Sequence, residues 1–202
     1  MALRFITREV IEGFLSGVDR TYGAVGSVYL IGETTQVVEG WRRFTDEIEF
    51  CSSVDASRRD EFNRAVVQSA GDLGVRACDE FPGEVIPLPS GFRNRERPLT
   101  VPGAFENLNL AISHFDPYAV SFRFIARGGE TDYQLVMRYL EHEWMDWDTM
   151  TALLDALLPE FSFETIQQDP AEFRRRYGGL YQMWKQRRLG AGKSEPNRLP
   201  VN

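Results

Sequence analysis

A short apolar run that stops at a glycine constrains this chain more than any other feature. Residues 27–31 read Ser-Val-Tyr-Leu-Ile, and Gly32 follows at once. A run of this length, rich in β-branched and aromatic residues, is typical of a buried central strand. Between Thr7 and Tyr22 apolar residues recur at helical spacing, and Thr7 suits the N-cap position of that helix. The N-terminal part therefore predicts a helix that leads into a buried strand.

The following segments continue this alternation of helices and short strands up to about residue 115. The patterns predict helices at 34–41 and 55–73, and strands at 47–51, 75–78, 84–86 and 105–115. Interleaving of this kind predicts an α/β fold (α+β) with a small mixed sheet. We expect the sheet to contain 27–31, 47–51 and 105–115, with helices packed mainly on one face.

From Pro117 onward the pattern becomes helical throughout. Helices are predicted near 117–127, 131–142, 148–157 and 170–189. We therefore divide the chain into an α/β core at 1–116, a helical extension at 117–189 that packs on the core, and a tail at 190–202. The Gly, Ser and Pro residues of the tail predict disorder.

Composition narrows the class of protein. The sequence has no run of about 18 apolar residues, so no membrane span is expected. The first residues lack the apolar segment of a secretory signal. Cys51 and Cys78 are the only cysteines, too few for a disulfide framework and too widely spaced for a metal knuckle. We therefore expect a cytoplasmic protein with two reduced thiols.

The distribution of charge limits the partners. The net charge of -7 argues against broad DNA binding. Residues 171–202 nevertheless carry eight Lys and Arg against two acids. This indicates a solvated helix, or a segment that docks on the acidic body of the chain or holds an anionic partner. Arg93, Arg95 and Arg97 alternate along the chain. In an extended segment they would share one side, where they would bind phosphate or RNA, or would protect a sheet edge.

Two glutamates are the most chemically suggestive residues of the predicted sheet. Glu47 and Glu49 are two positions apart on a predicted strand, so both carboxylates point to the same face. Converging carboxylates suit Mg²⁺, which prefers oxygen ligands and often bridges to phosphates. The same pattern occurs on ordinary amphipathic strands, so both interpretations stay open. Upstream, Gly32 between a strand and a helix would let backbone N–H groups approach a phosphate.

Together these residues resemble a known family. The first stretch reads Val28-Tyr-Leu-Ile-Gly-Glu-Thr-Thr and continues as Gly40-Trp-Arg-Arg-Phe-Thr-Asp-Glu-Ile-Glu-Phe50. It resembles the signature of the nucleotidyltransferase superfamily, in particular the small bacterial branch with the minimal and the toxin–antitoxin nucleotidyltransferases. A second stretch is similar to the same branch: His114-Phe-Asp-Pro-Tyr-Ala-Val, followed by Ala126-Arg-Gly-Gly-Glu-Thr-Asp132. The resemblance covers roughly residues 25 to 160.

The resemblance implies a nucleotidyltransferase fold and a Mg²⁺-dependent site. In such a site a nucleotidyl group passes from a nucleoside triphosphate to a protein or RNA acceptor. By this resemblance the catalytic residues would be Glu47, Glu49 and Asp132, and the nucleotide-binding residues Gly32, Glu33, Thr34 and Arg43. A third metal carboxylate usually comes from a neighbouring strand, and Glu106 is the candidate that would join Glu47 and Glu49.

The chain departs from the family pattern in ways that leave two functions open. Glutamates stand at positions 47 and 49 where the family has aspartates, and Thr131 stands where it has a basic residue. Glu33 replaces Gly or Ser and puts negative charge where the triphosphate would bind. Longer side chains would displace a metal, and small displacements are costly in rate. The alternatives are an active nucleotidyltransferase and an inactive binding module of the same fold, antitoxin-like or regulatory.

Overall fold

A computed structural model describes residues 5–99, 105, 108–161 and 169–191, and seven α-helices and five strands lie within these residues. In chain order the elements are α1 (Arg8–Tyr22), β1 (Gly26–Leu30), α2 (Gly32–Val38), β2 (Ile48–Val54), α3 (Arg59–Leu73), β3 (Ala77–Asp79), β4 (Arg97–Pro98), β5 (Leu110–His114), α4 (Pro117–Arg127), α5 (Glu130–Glu141), α6 (Trp147–Leu157) and α7 (Pro170–Ala191). The predicted α/β class, with a helical C-terminal half, is confirmed.

The five strands form one mixed sheet in the order β3-β2-β1-β5-β4. β1 lies at its centre, antiparallel to β2 and parallel to β5. β2 is parallel to β3, and β5 is antiparallel to β4. In the described part of the chain both edges are short, since β3 has three residues and β4 has two, one of them Pro98.

The sheet is covered on both faces, so the expectation of helices mainly on one face is wrong. Val28 and Leu30 belong to one apolar cluster with side chains of α1 and α3. Tyr29 and Cys51 belong to a second cluster, formed mainly by α4, α5, α6 and α7. The reason lies in β1, whose nearly continuous apolar run leaves neither face suited to water.

Helices α1 and α3 approach each other closely at one point. Ser69 of α3 donates a 2.8 Å hydrogen bond from its hydroxyl to the carbonyl of Phe14. Opposite Ser69 stands Gly17, and a Cβ atom added there would lie 2.5 Å from the Ser69 Oγ. Glycine at position 17 is therefore what lets the two helices come together.

Several local expectations fail or lie outside the described residues. The strand expected at 84–86 is absent from this stretch, where Pro82–Glu84 forms a 3₁₀ turn in a segment rich in proline. β5 begins at Leu110, later than expected. The first two residues of the predicted disordered tail belong to α7, and the rest of the tail lies outside the described residues. The division of domains near residue 116 stays a prediction.

None of the described helices is both long enough and apolar enough to cross a membrane.

Candidate functional site

An open pocket of about 170 Å³ lies where α2, the start of β2 and the junction of α4 with α5 meet. Five carboxylates line it: Glu33, Asp46, Glu47, Glu49 and Asp132. Two cations, Arg76 and Arg127, lie on the same lining. We call this cavity the acidic pocket. It brings together four of the residues that the family resemblance implies.

Glu49 is held tightly against the start of α2. Its Oε2 atom accepts a 3.1 Å hydrogen bond from the backbone N–H of Glu33, and its own N–H donates to the Thr34 hydroxyl at 2.7 Å. Gly32 has a positive φ of 58°, and a Cβ there would lie 3.0 Å from Glu49 Cδ and closer still to Oε2. Glycine is thus required both by the backbone and by the position of the Glu49 side chain.

The environment of Glu49 disfavours its charged form. Burial is the main cause that raises the pKa of this carboxyl, and the nearby charge of Glu33 adds to it. The hydrogen bond from Glu33 N–H and the charge of Arg123 act in the opposite direction. A cation bound beside Glu49 would remove this electrostatic cost.

Glu33 has partners that the sequence analysis did not assign. Its carboxylate accepts a 2.8 Å hydrogen bond from the Thr45 hydroxyl and forms a 2.9 Å ion pair with Arg42. The cation that balances Glu33 is therefore Arg42. Arg43 is exposed and does not line the acidic pocket, so its role in binding nucleotide stays a prediction. The sequence alone does not show which of the adjacent residues Arg42 and Arg43 pairs with Glu33.

Like Asp46 beside it, Glu47 is a pocket carboxylate without a polar partner in the described chain. It immediately precedes β2, and buried Ile48 separates it from Glu49, so the two glutamates line one pocket as their spacing predicts. Within the described residues the Glu47 carboxylate forms no hydrogen bond or ion pair. Thr34, by contrast, is buried, and its hydroxyl is occupied by the N–H of Glu49.

Asp132 combines a place in the pocket with a structural task. One oxygen accepts a 3.1 Å hydrogen bond from the N–H of Gly129 at the start of α5. The other lies 3.2 Å from the guanidinium of Arg127. Asp132 therefore caps its own helix while it faces the acidic pocket.

β2, which carries Glu49, lies between β1 and β3 in the sheet. The parallel register pairs Glu49 with Cys78, and burial followed by the charges of Glu47 and Glu49 raises the pKa of the Cys78 thiol. Glu106 lies outside the described residues, and β5, the strand expected to carry it, pairs with β1 and β4. Sequence reasoning predicted a strand at 75–78 but did not recognise it as the neighbour of β2.

Arg123 is a second residue that sequence reasoning missed. It is 5% exposed, forms an ion pair with Glu80, and lies close enough to Glu49 for their charges to interact. Burial lowers the pKa of its guanidinium, an effect that Glu49 partly offsets. Its Nε and Nη1 atoms have no hydrogen-bond partner within the described residues. The sequence did contain a signal for this residue, because Arg123 stands in the middle of the otherwise apolar α4 segment, where a buried arginine needs a partner.

The condition for the alternating arginines to share one side, an extended segment, is not met at 92–95. Phe92–Arg95 forms a 3₁₀ turn, which points the side chains in different directions. Arg95 donates to the buried Asp116 carboxylate at 2.8 and 3.0 Å. Arg97 lies over the Trp144 ring, 4.5 Å from its centroid. Arg95 thus has a buried ionic partner, and Arg93, like Arg97, lies beside an aromatic ring, 5.2 Å from the Phe92 centroid.

Comparison with known proteins gives no match. No protein-family model, curated protein or solved structure is significantly similar to this chain. Within the described residues no group of three or more His, Cys, Asp and Glu side chains is arranged to hold a metal. The case for a function therefore depends on the geometry of the acidic pocket.

Proposed function

We propose that the acidic pocket binds a nucleoside triphosphate with Mg²⁺ and transfers a nucleotidyl group to a protein or RNA acceptor. The observation that carries the proposal is that Glu47 and Glu49 face one pocket whose lining also includes Arg76 and Arg127. The pocket therefore combines carboxylate oxygens, which can bind a hard cation, with guanidinium groups, which can donate to phosphates. The resemblance to the nucleotidyltransferase superfamily supports the same assignment.

The residues present fit Mg²⁺ rather than a metal caged by protein alone. Mg²⁺ is commonly held by one or two carboxylates, with substrate phosphates and water as its other ligands. Glu47 has no competing partner in the described chain, and Glu49 has a carboxyl whose charged form burial disfavours. When bound, Mg²⁺ would neutralise phosphate charge and orient the reacting phosphate.

The cations of the pocket have the exposure that a phosphate ligand needs. Arg76 is exposed, and the Arg127 side chain is 50% exposed. Arg127 also lies 5.5 Å from the Phe124 ring centroid. Both can turn their N–H groups toward a triphosphate at little desolvation cost, since neither is deeply buried.

The alternative is a binding module of the same fold that performs no transfer. One observation favours it: three of the five pocket carboxylates already have partners inside the protein. Glu49 accepts from the Glu33 amide, Glu33 is paired with Arg42, and Asp132 is paired with Arg127. In this case the chain acts by contact with a partner, as an antitoxin-like or regulatory protein would. For either function the cytoplasm is the proposed compartment, because both cysteines are free thiols.

Thermal unfolding shows whether the protein binds a nucleotide. The whole chain is unfolded with Mg²⁺ and each of ATP, GTP, CTP and UTP in turn. A ligand at about 100 times its Kd adds about 2.7 kcal/mol, or roughly 5–10 °C in Tm for a chain of this size. We expect such a rise with at least one nucleotide, and its loss on chelation of Mg²⁺. If all four nucleotides leave Tm unchanged, the proposed site is wrong.

Glu47→Gln is the most informative variant because it removes a ligand without breaking a described contact. It should unfold at the same Tm as the parent without ligand, yet lose the nucleotide-dependent rise. The matched control is Asp72→Asn, an exposed acid of α3 outside the pocket, which should keep the rise. Release of pyrophosphate from the nucleoside triphosphate, measured with RNA or protein acceptors present, then distinguishes the two functions. Nucleotide binding without pyrophosphate release supports the binding module.

A further inference from the structure

A second, smaller cavity of about 110 Å³ lies on the same face of the sheet as Glu49. Its floor is Tyr29 of β1 with Cys51 and Ser53 of β2, which follow Glu49 at alternate positions. Its walls are phenylalanines from the connections around the sheet, Phe81, Phe92 and Phe115. We call this cavity the aromatic cavity. It shares no lining residue with the acidic pocket.

Four aromatic rings surround the aromatic cavity at different angles. Phe115 is 3% exposed and lies at the centre of the group. Its ring centroid is 5.7 Å from that of Tyr29 and 6.1 Å from that of Phe81, both nearly perpendicular, and 5.6 Å from that of Phe92 at 29°. Aromatic faces carry partial negative charge, so rings set at several angles make a space that is both apolar and attractive to cations.

A carboxylate without a partner also lines the aromatic cavity. Oε1 of Glu96 is buried, and within the described residues no donor forms a hydrogen bond with it. Burial raises the pKa of this carboxyl, and the charge of Arg93 offsets part of that effect. A buried polar atom without a partner is costly, and a bound group that donates to it would remove that cost.

We propose that the aromatic cavity binds an organic ammonium or guanidinium cation, whose N–H group donates to Glu96 and whose carbon atoms pack on the aromatic rings. The rings attract the positive charge and the carboxylate fixes its orientation. The volume is well below the roughly 300 Å³ at which pockets for drug-sized ligands begin. It therefore suits the end of a lysine or arginine side chain, or a small free amine, and excludes a whole nucleotide.

Arg93 is the cation of this chain that competes for the aromatic cavity. It lines the cavity and lies 5.2 Å from the Phe92 ring centroid, but it is exposed and forms no hydrogen bond with Glu96 in the described chain. A guanidinium is thus already attracted to one wall. Removal of Arg93 should strengthen the binding of a cation from outside.

Calorimetric titration of the full chain tests the proposal with three probes of similar size: butylammonium, butylguanidinium and neutral 1-butanol. The two cations should bind and raise Tm, and butanol should bind far more weakly. Glu96→Gln should weaken the cations by about 10- to 100-fold, the usual value of a hydrogen bond to a charged group. Phe92→Leu should weaken them too. The matched control Glu84→Gln changes an exposed acid of the neighbouring turn and should have no effect.

Other results would overturn the proposal. Equal binding of butanol and the cations would mean an apolar cavity without a role for charge. Absence of binding to the parent, with binding to Arg93→Gln alone, would mean that Arg93 itself occupies the cavity. A separate comparison tests whether the cation is a polypeptide side chain or a free amine. The amides of Nα-acetyl-lysine and Nα-acetyl-arginine, whose side chains stay charged, should bind more tightly than butylammonium in the first case and less tightly in the second. Neither result depends on nucleotide binding in the acidic pocket.

Discussion

Replacement of Gly32 by alanine is the sharpest test of how the acidic pocket is built. The new Cβ would meet Glu49 Oε2, with Glu49 Cδ at 3.0 Å and Phe124 Cζ at 3.1 Å. Gly32 also has φ of 58°, a conformation that alanine adopts poorly. The variant therefore combines a backbone penalty with a steric one, and a second glycine of the chain allows the two to be separated.

The expected cost comes from contributions of known size. A left-handed conformation costs a non-glycine residue roughly 1–2 kcal/mol. Displacement of the Glu49 carboxylate breaks its hydrogen bond with Glu33 N–H, which as a bond to a charged group contributes about 1.5–3 kcal/mol. The lower entropy of the unfolded alanine chain returns about 0.4–1 kcal/mol. Gly32→Ala should thus lower the free energy of unfolding by roughly 3 kcal/mol.

Gly40→Ala is the matched control. Gly40 has φ of 75°, but a Cβ there meets no atom within 4 Å, so only the backbone penalty applies. We expect a loss of about 1 kcal/mol for this variant in urea denaturation. In a Glu49→Ala background the cost of Gly32→Ala should fall toward that of Gly40→Ala, because the obstructing carboxylate is gone. Equal costs at the two glycines, or no effect of Glu49→Ala, would refute this explanation of the pocket.

Three further changes have defined outcomes. Gly17→Ala should lower the free energy of unfolding in urea by about 1–3 kcal/mol, because the new Cβ meets Ser69. Gly13 is an exposed glycine of the same helix with no atom within 4 Å of an added Cβ, so Gly13→Ala should raise that free energy by up to about 1 kcal/mol. If both variants changed the free energy of unfolding in the same direction, the proposed contact between the helices would be wrong. Burial raises the folded pKa of Glu49 above its ordinary 4.5, so this carboxyl lowers the stability increasingly as the pH rises from 4.5, and the loss is complete above the raised pKa. Glu49→Gln should therefore exceed the parent in stability at about pH 8, and the difference should shrink as the pH falls from the raised pKa toward 4.5 and vanish below 4.5; a gain independent of pH would refute this. Glu33→Ser should tighten nucleotide binding measured by calorimetry if the Glu33 charge opposes the triphosphate, and unchanged affinity would show that its ion pair already balances that charge.

The elements that depend on periodicity were predictable from the sequence. The bounds of α1 and of the four C-terminal helices agree with their patterns within about two residues. β1 and β2 were recognisable because one has a continuous apolar run and the other a clear alternation. The common pocket of Glu47 and Glu49 followed from the alternation alone, since strand side chains two apart share a face.

The features that the sequence did not predict depend on contacts between distant segments of the chain. The place of Cys78 beside Glu49 is set by strand register, which a three-residue strand does not specify locally. The choice of Arg42 over Arg43 depends on the turn that follows α2, where the N–H groups of Trp41 and Arg42 both donate to the carbonyl of Gln36. Alternation of the arginines at 93–97 does not indicate the 3₁₀ turn at 92–95, which decides where their side chains lie.

The short edges of the sheet determine how another protein can attach to this one. A long flat edge strand offers a row of free N–H and C=O groups that invites strand addition and, with it, fibrous association. In the described chain one edge offers only three residues, and the other offers two, one of which is a proline without an N–H. At these described edges a protein partner would gain more from contacts with side chains and cavities than from extending the sheet, and single substitutions would then alter its specificity.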